Sequence, residues 1–319
     1  MKIGLIEPLG VEESLIEELA APLKEKGHEF LFFPQKTTVP AELAARSSGC
    51  EIVMLANTPY PASAMEGNPS LKMLSVAFTG TDHIDLSYCR EHQITICNSA
   101  NYSNQTVAEL VIGLVLSLYR KLPACNEAAR NSGTGSPFTG LEIAGKTVGI
   151  IGTGRIGLQT ARLFQAFGAH VIAYSRSISP AAQAMGIAYY SLDEVLRQSD
   201  IVSLHVPNTP ETYHLLDGQK LSLMQPHAIF INCARGPIVD NAALAHLLQE
   251  GKLAGAGIDV FDMEPPLPSD YPLLKAPNTI LTPHIAFASK ESMIRRAHIV
   301  FENVYRYLDG EPQNVCPLS

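Results

Sequence analysis

Along the first hundred residues, short apolar runs alternate with stretches whose apolar positions recur every three to four residues. Lys2 to Ile6, Phe30 to Phe33, Glu51 to Leu55, Met73 to Phe78 and Ile94 to Cys97 are short and largely apolar, which predicts strands. Strands alternating with helices predict a parallel α/β sheet. Asn104 to Leu122 breaks that rhythm. Val107, Leu110, Val111, Leu114, Val115 and Leu118 repeat at helical spacing, predicting a long connecting helix that Pro123 ends. Asn131 to Gly140, rich in small and turn-forming residues, reads as a loop.

The alternation resumes at Lys146. Strands are expected at Thr147 to Ile151, His170 to Tyr174, Ile201 to His205, His227 to Asn232, Ala254 to Asp259 and Thr279 to Thr282. Helical patterns at Ser191 to Arg197 and Asn241 to Glu250 make this a second doubly wound sheet. A final helical pattern, Ser289 to Leu308, is expected to return to the first domain.

The second half opens on KTVGIIGTGRIG, where a buried-strand pattern runs into Gly152, Gly154 and Gly157 at GxGxxG spacing. The helix that follows carries apolar Ile156, Ala161, Phe164 and Phe167. Gly152 permits a sharp turn, Gly154 lets the backbone approach a pyrophosphate, and Gly157 allows close packing of helix on strand. Arg155 and Ile156 begin the helix, whose free N–H groups form a positive end suited to phosphates. The second strand then completes the βαβ unit of a dinucleotide site.

Composition narrows the class without changing it. A chain of 319 residues, 46% hydrophobic, has room for about two domains with proper cores. A net charge of −8 leaves no footprint for nucleic acid or an anionic membrane. No apolar run is long enough to span a bilayer, and acids arrive too early for a signal peptide, so a cytoplasmic protein is expected. The six cysteines show no metal-ligand spacing, which predicts neither a metal nor a disulfide.

Arg235, Glu264 and His284 each follow an expected strand, at the edge where open α/β sheets bind ligands. Hydride transfer needs a proton donor or acceptor and a substrate clamp. His284 suits the proton role, with Glu264 orienting it and favouring its protonated form. Arg235 suits the clamp, since its planar fork holds a carboxylate and leans on a neighbouring carbonyl oxygen. A 2-oxo acid presents both groups side by side.

NAD-binding folds usually end their second strand in an acid that accepts from the ribose hydroxyls. Here the strand ends Tyr174, Ser175, Arg176. Nothing there repels a 2′-phosphate and Arg176 can pair with one, so NADP is expected over NAD, through Ser175 and Arg176.

GTGRIG, NCARGPIVD, GIDVFDMEPP and TPHIA follow one another in order, with VAFTGTDHID at 76–85 and TVAELVIGL at 106–114 upstream. The chain resembles the D-isomer-specific 2-hydroxyacid dehydrogenases over essentially its whole length. The resemblance implies a Rossmann cofactor domain at 103–289 inserted in a flavodoxin-like substrate domain at 1–102 plus 290–319. It implies Arg235, Glu264 and His284 as the catalytic residues, and backbone N–H groups around Phe78, Thr79 and Gly80 as holders of the substrate carboxylate. It further implies Thr106, Cys233 and Asp259 beside the nicotinamide and its ribose, and Pro207 and Thr212 beside the adenine and phosphates. A homodimer formed through the cofactor domain is expected on the same ground. Phe287, where many relatives have glycine, and Phe78 suggest a substrate with a small or apolar side chain, such as glyoxylate, hydroxypyruvate, pyruvate or a branched 2-oxo acid. No regulatory domain is expected after Ser319, which makes a long phosphorylated substrate less favoured. The alternatives are a nicotinamide-sensing corepressor-like protein, a phosphoglycerate dehydrogenase, and oxidation of formate or phosphite on the same fold.

Overall fold

The computed structural model describes residues 1–136 and 138–317. Pro137, inside the expected loop, and residues 318–319, at the end of the expected substrate domain, lie outside the described residues. The chain divides into two compact units, one of Met1–Tyr102 with the chain from Ala288 onward, the other of Ser103–Phe287.

The first unit holds β1 (Lys2–Leu5), β2 (Glu29–Phe32), β3 (Ile52–Leu55), β4 (Met73–Val76) and β5 (Thr95–Asn98) in a parallel sheet of order β2-β1-β3-β4-β5. This is the flavodoxin-like order. Its crossovers are α1 (Glu13–Glu25), α2 (Pro40–Ser47), α3 (Ala62–Met65) and α4 (Leu86–Glu91). β3 and β4 are buried along their whole length because helices cover both faces, which is why they read as unbroken apolar runs.

The second unit begins with α5 (Asn104–Tyr119) and α6 (Leu122–Arg130). β6 (Thr147–Ile151), α7 (Arg155–Ala166), β7 (His170–Tyr174), α8 (Pro180–Ala184), β8 (Ala188–Tyr189), α9 (Leu192–Gln198) and β9 (Ile201–Leu204) follow. α10 (Gly218–Leu221), β10 (Ile229–Asn232), α11 (Asn241–Gln249), β11 (Gly255–Ile258) and β12 (Thr279–Leu281) complete it. The parallel order β12-β11-β10-β9-β6-β7-β8 contains the Rossmann arrangement, with its switch point where β6 pairs with β9. α7 buries Gly157, Thr160, Ala161 and Phe164, a stripe at helical spacing, whereas Phe167 at its carboxyl end is 44% exposed.

Three details differ from the pattern-based expectation. The long helix stops at Tyr119, and Lys121 takes a left-handed φ of 52° that turns the chain. Pro123 therefore lies in the first turn of α6 instead of ending α5, a position where its missing N–H leaves no helical bond unmade. β8 is two residues long, too short to leave a periodic signature.

The last helix, α12 (Lys290–Leu308), starts from a capping box made by Ser289 and Ser292. Met293, Ala297, Val300, Phe301 and Val304 are buried along one of its faces. Ala297, Val300, Phe301 and Val304 share a core with Ile3, Leu5, Ile52 and Met54, and the Ser75 hydroxyl donates to the Val300 carbonyl at 2.8 Å. No helix of the described residues is long and apolar enough to cross a membrane.

Phe301 is fully buried between that helix and the first sheet. Truncation to Ala is expected to lower the unfolding free energy by about 3–5 kcal/mol, measured by urea denaturation followed by circular dichroism.

Candidate active site

All strands of the second sheet are parallel, so the segments following β6, β7, β9, β10, β11 and β12 emerge at one edge. The three fingerprint glycines do three different things there. Gly152 has φ of +100°, and a Cβ on it would lie 2.6 Å from the His205 carbonyl oxygen. A Cβ on Gly157 would lie 2.0 Å from the Gly152 carbonyl oxygen, so α7 starts in contact with the turn. A Cβ on Gly154 would meet nothing within 4 Å. Gly154 is also the N-cap of α7, with no side-chain cap on the first N–H groups. A bare helix start opening into space fits the pyrophosphate of a dinucleotide.

Beside this turn, Ser175 is half-buried and Arg176 exposed. Two neighbours were not legible in the sequence. The Tyr189 hydroxyl, on β8, donates to Thr153 Oγ1 at 2.8 Å and accepts from the Ser179 backbone N–H at 3.0 Å, joining the glycine turn to the segment after β7. Glu211 has its carboxyl held below the usual range, first by a hydrogen bond from Thr209 and in smaller part by the charge of Arg176. A carboxylate thus shares the field of the guanidinium expected to meet a phosphate. Pro207 and Thr212 are brought together, the Thr212 hydroxyl donating to the Pro207 carbonyl at 2.6 Å. Thr106 lies in the first turn of α5.

The segments after β10, β11 and β12 carry the titratable residues. Asn232, at the end of β10, accepts from the Ala234 N–H and donates to the Arg235 carbonyl, both at 2.9 Å. Those two bonds fold the backbone that presents Arg235. His284 Nδ1 lies 2.8 and 2.9 Å from the two oxygens of Glu264. The imidazole is 11% exposed while the Glu264 side chain is 61% exposed, so the pair has a sheltered base and an open acid. Phe287 stands edge-on to the His284 ring at 5.5 Å.

His284 has φ of +57°, in the left-handed region that costs a non-glycine residue about 1–3 kcal/mol. Asp259, fully buried at the end of β11, holds it there. Its carbonyl accepts from the His284 N–H at 2.8 Å, and its carboxylate accepts from the Thr282 hydroxyl at 2.6 Å, the Ile285 N–H at 2.9 Å and the Ala286 N–H at 2.8 Å. Burial pushes the Asp259 carboxyl above the usual range, against those hydrogen bonds and the charge of His284. The resemblance implied only that Asp259 lies beside the nicotinamide; the structure shows its carboxylate forming the histidine turn. Burial, reinforced by the nearby Asp259 charge, raises the Cys233 thiol far above its normal range.

In the first unit, Phe78, Thr79 and Gly80 follow β4. The Thr79 carbonyl accepts from Asn98 Nδ2 at 2.7 Å, and the Phe78 carbonyl from the Ser99 N–H at 3.0 Å. The Phe78 ring is 5% exposed and packs 6.3 Å from both His83 and Tyr102.

A Rossmann unit with this glycine turn and a histidine–glutamate pair beyond its strand ends has the architecture of a dinucleotide-dependent dehydrogenase. Residues 112–286 match the family model of the D-isomer specific 2-hydroxyacid dehydrogenase NAD-binding domain. A glycerate dehydrogenase from Methylorubrum extorquens is 38% identical over 310 residues, 94% of this chain and 96% of that protein. A glyoxylate reductase from Thermofilum pendens is 38% identical over 257 residues, 78% of this chain and 76% of that protein. An acyclic imino acid reductase solved in complex with NADPH and D-Arg superimposes with a TM-score of 0.89 at 31% identity, covering 99% of this chain and 100% of that one. The chain belongs to the D-isomer-specific 2-hydroxyacid dehydrogenases and is an NAD(P)-dependent oxidoreductase.

The glycines predict two separable failures. Gly154→Ala is expected to keep thermal stability but weaken dinucleotide affinity at least about tenfold, since its Cβ enters only the open cradle. Gly157→Ala, forced against the Gly152 carbonyl, is expected to lose both; differential scanning fluorimetry with and without cofactor separates them.

Proposed function

We propose that the chain reduces a small 2-oxo acid to the D-2-hydroxy acid, with His284 as general acid and NADPH preferred over NADH. The observation that carries this is the imidazole locked against a carboxylate by both Glu264 oxygens and held at an unusual φ by Asp259. The bound nicotinamide supplies hydride to the oxo carbon. As that carbon gains the hydride its oxygen takes a proton from His284 Nε2, while Glu264 stabilises the charged ring through Nδ1. Arg235 pairs with the substrate carboxylate and its carbonyl oxygen, and backbone N–H groups of Phe78, Thr79 and Gly80 hold the carboxylate from the substrate domain, 1–102 plus 290–319. The names of the two relatives at 38% identity support a small hydroxy or oxo acid as substrate.

The preference for NADPH rests on Ser175 and Arg176 and is supported by the NADPH complex of the imino acid reductase. Thr106, Cys233 and Asp259 border the nicotinamide side of the cofactor, and Pro207 and Thr212 its adenine side. The protein works in the cytoplasm as a homodimer through the cofactor domain. Supporting the dimer, Leu122 and Leu141 are each 49% exposed, and Leu141 borders a cavity of about 580 Å³ with Leu118, Tyr119 and Ala124. Sedimentation giving a monomer would refute it.

Initial rates of NADPH and NADH oxidation with glyoxylate, hydroxypyruvate, pyruvate, 2-oxoisocaproate and phenylpyruvate test the reading. His284→Ala is expected to lower kcat/KM by about 10²–10⁴-fold, and Arg176→Ala to reduce the NADPH-to-NADH ratio by about tenfold. Turnover that survives in His284→Ala would remove the general acid. An unchanged cofactor ratio would remove Arg176 as its source.

A further inference from the structure

Glu264 is the most exposed member of the catalytic constellation, on a segment that belongs to no helix or strand, yet it meets His284 with both oxygens. An exposed carboxylate on an irregular segment loses such a contact readily unless its backbone is fixed nearby. Two residues upstream, Asp262 provides the fixing. Its Oδ1 accepts from Asn241 Nδ2 at 2.8 Å and its Oδ2 accepts from the Tyr271 hydroxyl at 2.7 Å. Tyr271 is 5% exposed and sets its ring edge-on to Phe261 at 5.7 Å. Burial first, and the Asp262 carboxylate second, push the Tyr271 hydroxyl up, so it remains a donor.

The same network reaches the arginine. Asn241 Nδ2 also points at the Gly236 carbonyl at 3.3 Å, one residue after Arg235. A Cβ on Gly236 would lie 1.9 Å from the Phe261 carbonyl carbon and oxygen, so the two segments touch backbone to backbone. The buried Asn241 Oδ1 has no partner among the described residues. Turning the amide over would set that oxygen against the Asp262 carboxylate and the Gly236 carbonyl, so the donor end is the one that faces them.

We propose that Asp262, with Tyr271 and Asn241, is a positioning clamp that holds the Glu264 segment against the Arg235 segment and so sets the spacing of Arg235 from the Glu264–His284 pair. This rests on the reading of those three residues as catalytic. None of the clamp residues touches substrate; each acts through Glu264 or Arg235. Misplacement of catalytic groups by about 1 Å costs up to about 10²-fold in rate, and loss of one clamp bond is expected to cost a part of that.

Tyr271→Phe keeps the ring packing and removes only the hydroxyl. It is expected to lower kcat about tenfold, with NADPH affinity and thermal midpoint within error of wild type. Asp262→Ala is expected to lose more than Asp262→Asn, which retains an acceptor. In a Glu264→Gln background the Tyr271→Phe change is expected to add less than twofold, because its route to the chemistry is already broken. The ¹⁵N resonances of the His284 ring, assigned with His284→Asn, are expected to show Nδ1 losing its carboxylate partner in Tyr271→Phe. Unchanged kcat and unchanged ring resonances in Tyr271→Phe, full additivity with Glu264→Gln, or a fall in thermal midpoint alone would each overturn the clamp. The resonances need no substrate. Wild-type protein inactive on every acid would sink the catalytic reading while the spectra still judged whether the clamp holds Glu264 to His284.

Discussion

A buried carboxylate at the end of β11 is the constraint on which the placement of His284 depends. Asp259 has no access to solvent, and its burial alone favours the neutral form. Three donors from the segment Thr282 to Ala286 surround it. Satisfying that carboxylate forces the chain after β12 into a tight turn, and the turn puts His284 at a positive φ with its ring sheltered. Loss of those bonds would release backbone strain and the histidine together.

The cofactor half of the site follows from backbone geometry in the same way. Gly152 and Gly157 are glycines because a Cβ would strike carbonyl oxygens, whereas a Cβ on Gly154 would meet nothing within 4 Å. The turn sits at the switch point between β6 and β9, where neighbouring crossovers run in opposite directions and leave a crevice. The open glycine turn and the reversal of strand order coincide there. The polar dressing is less regular, since Tyr189 braces the glycine turn from a strand of two residues.

Much of this was legible beforehand. Buried parallel strands announce themselves as apolar runs, and each expected strand of both sheets has its counterpart within a few residues. GxGxxG after a strand, and an acid, an arginine and a histidine after three later ones, marked the edge where the structure gathers Glu264 and His284. Local conformations that depend on one residue were harder to read. Pro123 looked like a terminator because proline breaks helices, yet the left-handed Lys121 had already turned the chain.

By itself the sequence determined the two parallel sheets, the glycine turn after β6 and the family, because these depend on periodicity and on residue types at fixed spacing. Only the tertiary structure decided which side chains touch. Asp259 forming the histidine turn, Tyr189 on Thr153, and Asp262 joining Asn241 to Tyr271 link residues 9 to 36 positions apart in the chain. Such contacts leave no periodic trace, since each is fixed by where separate crossovers happen to bring two segments together.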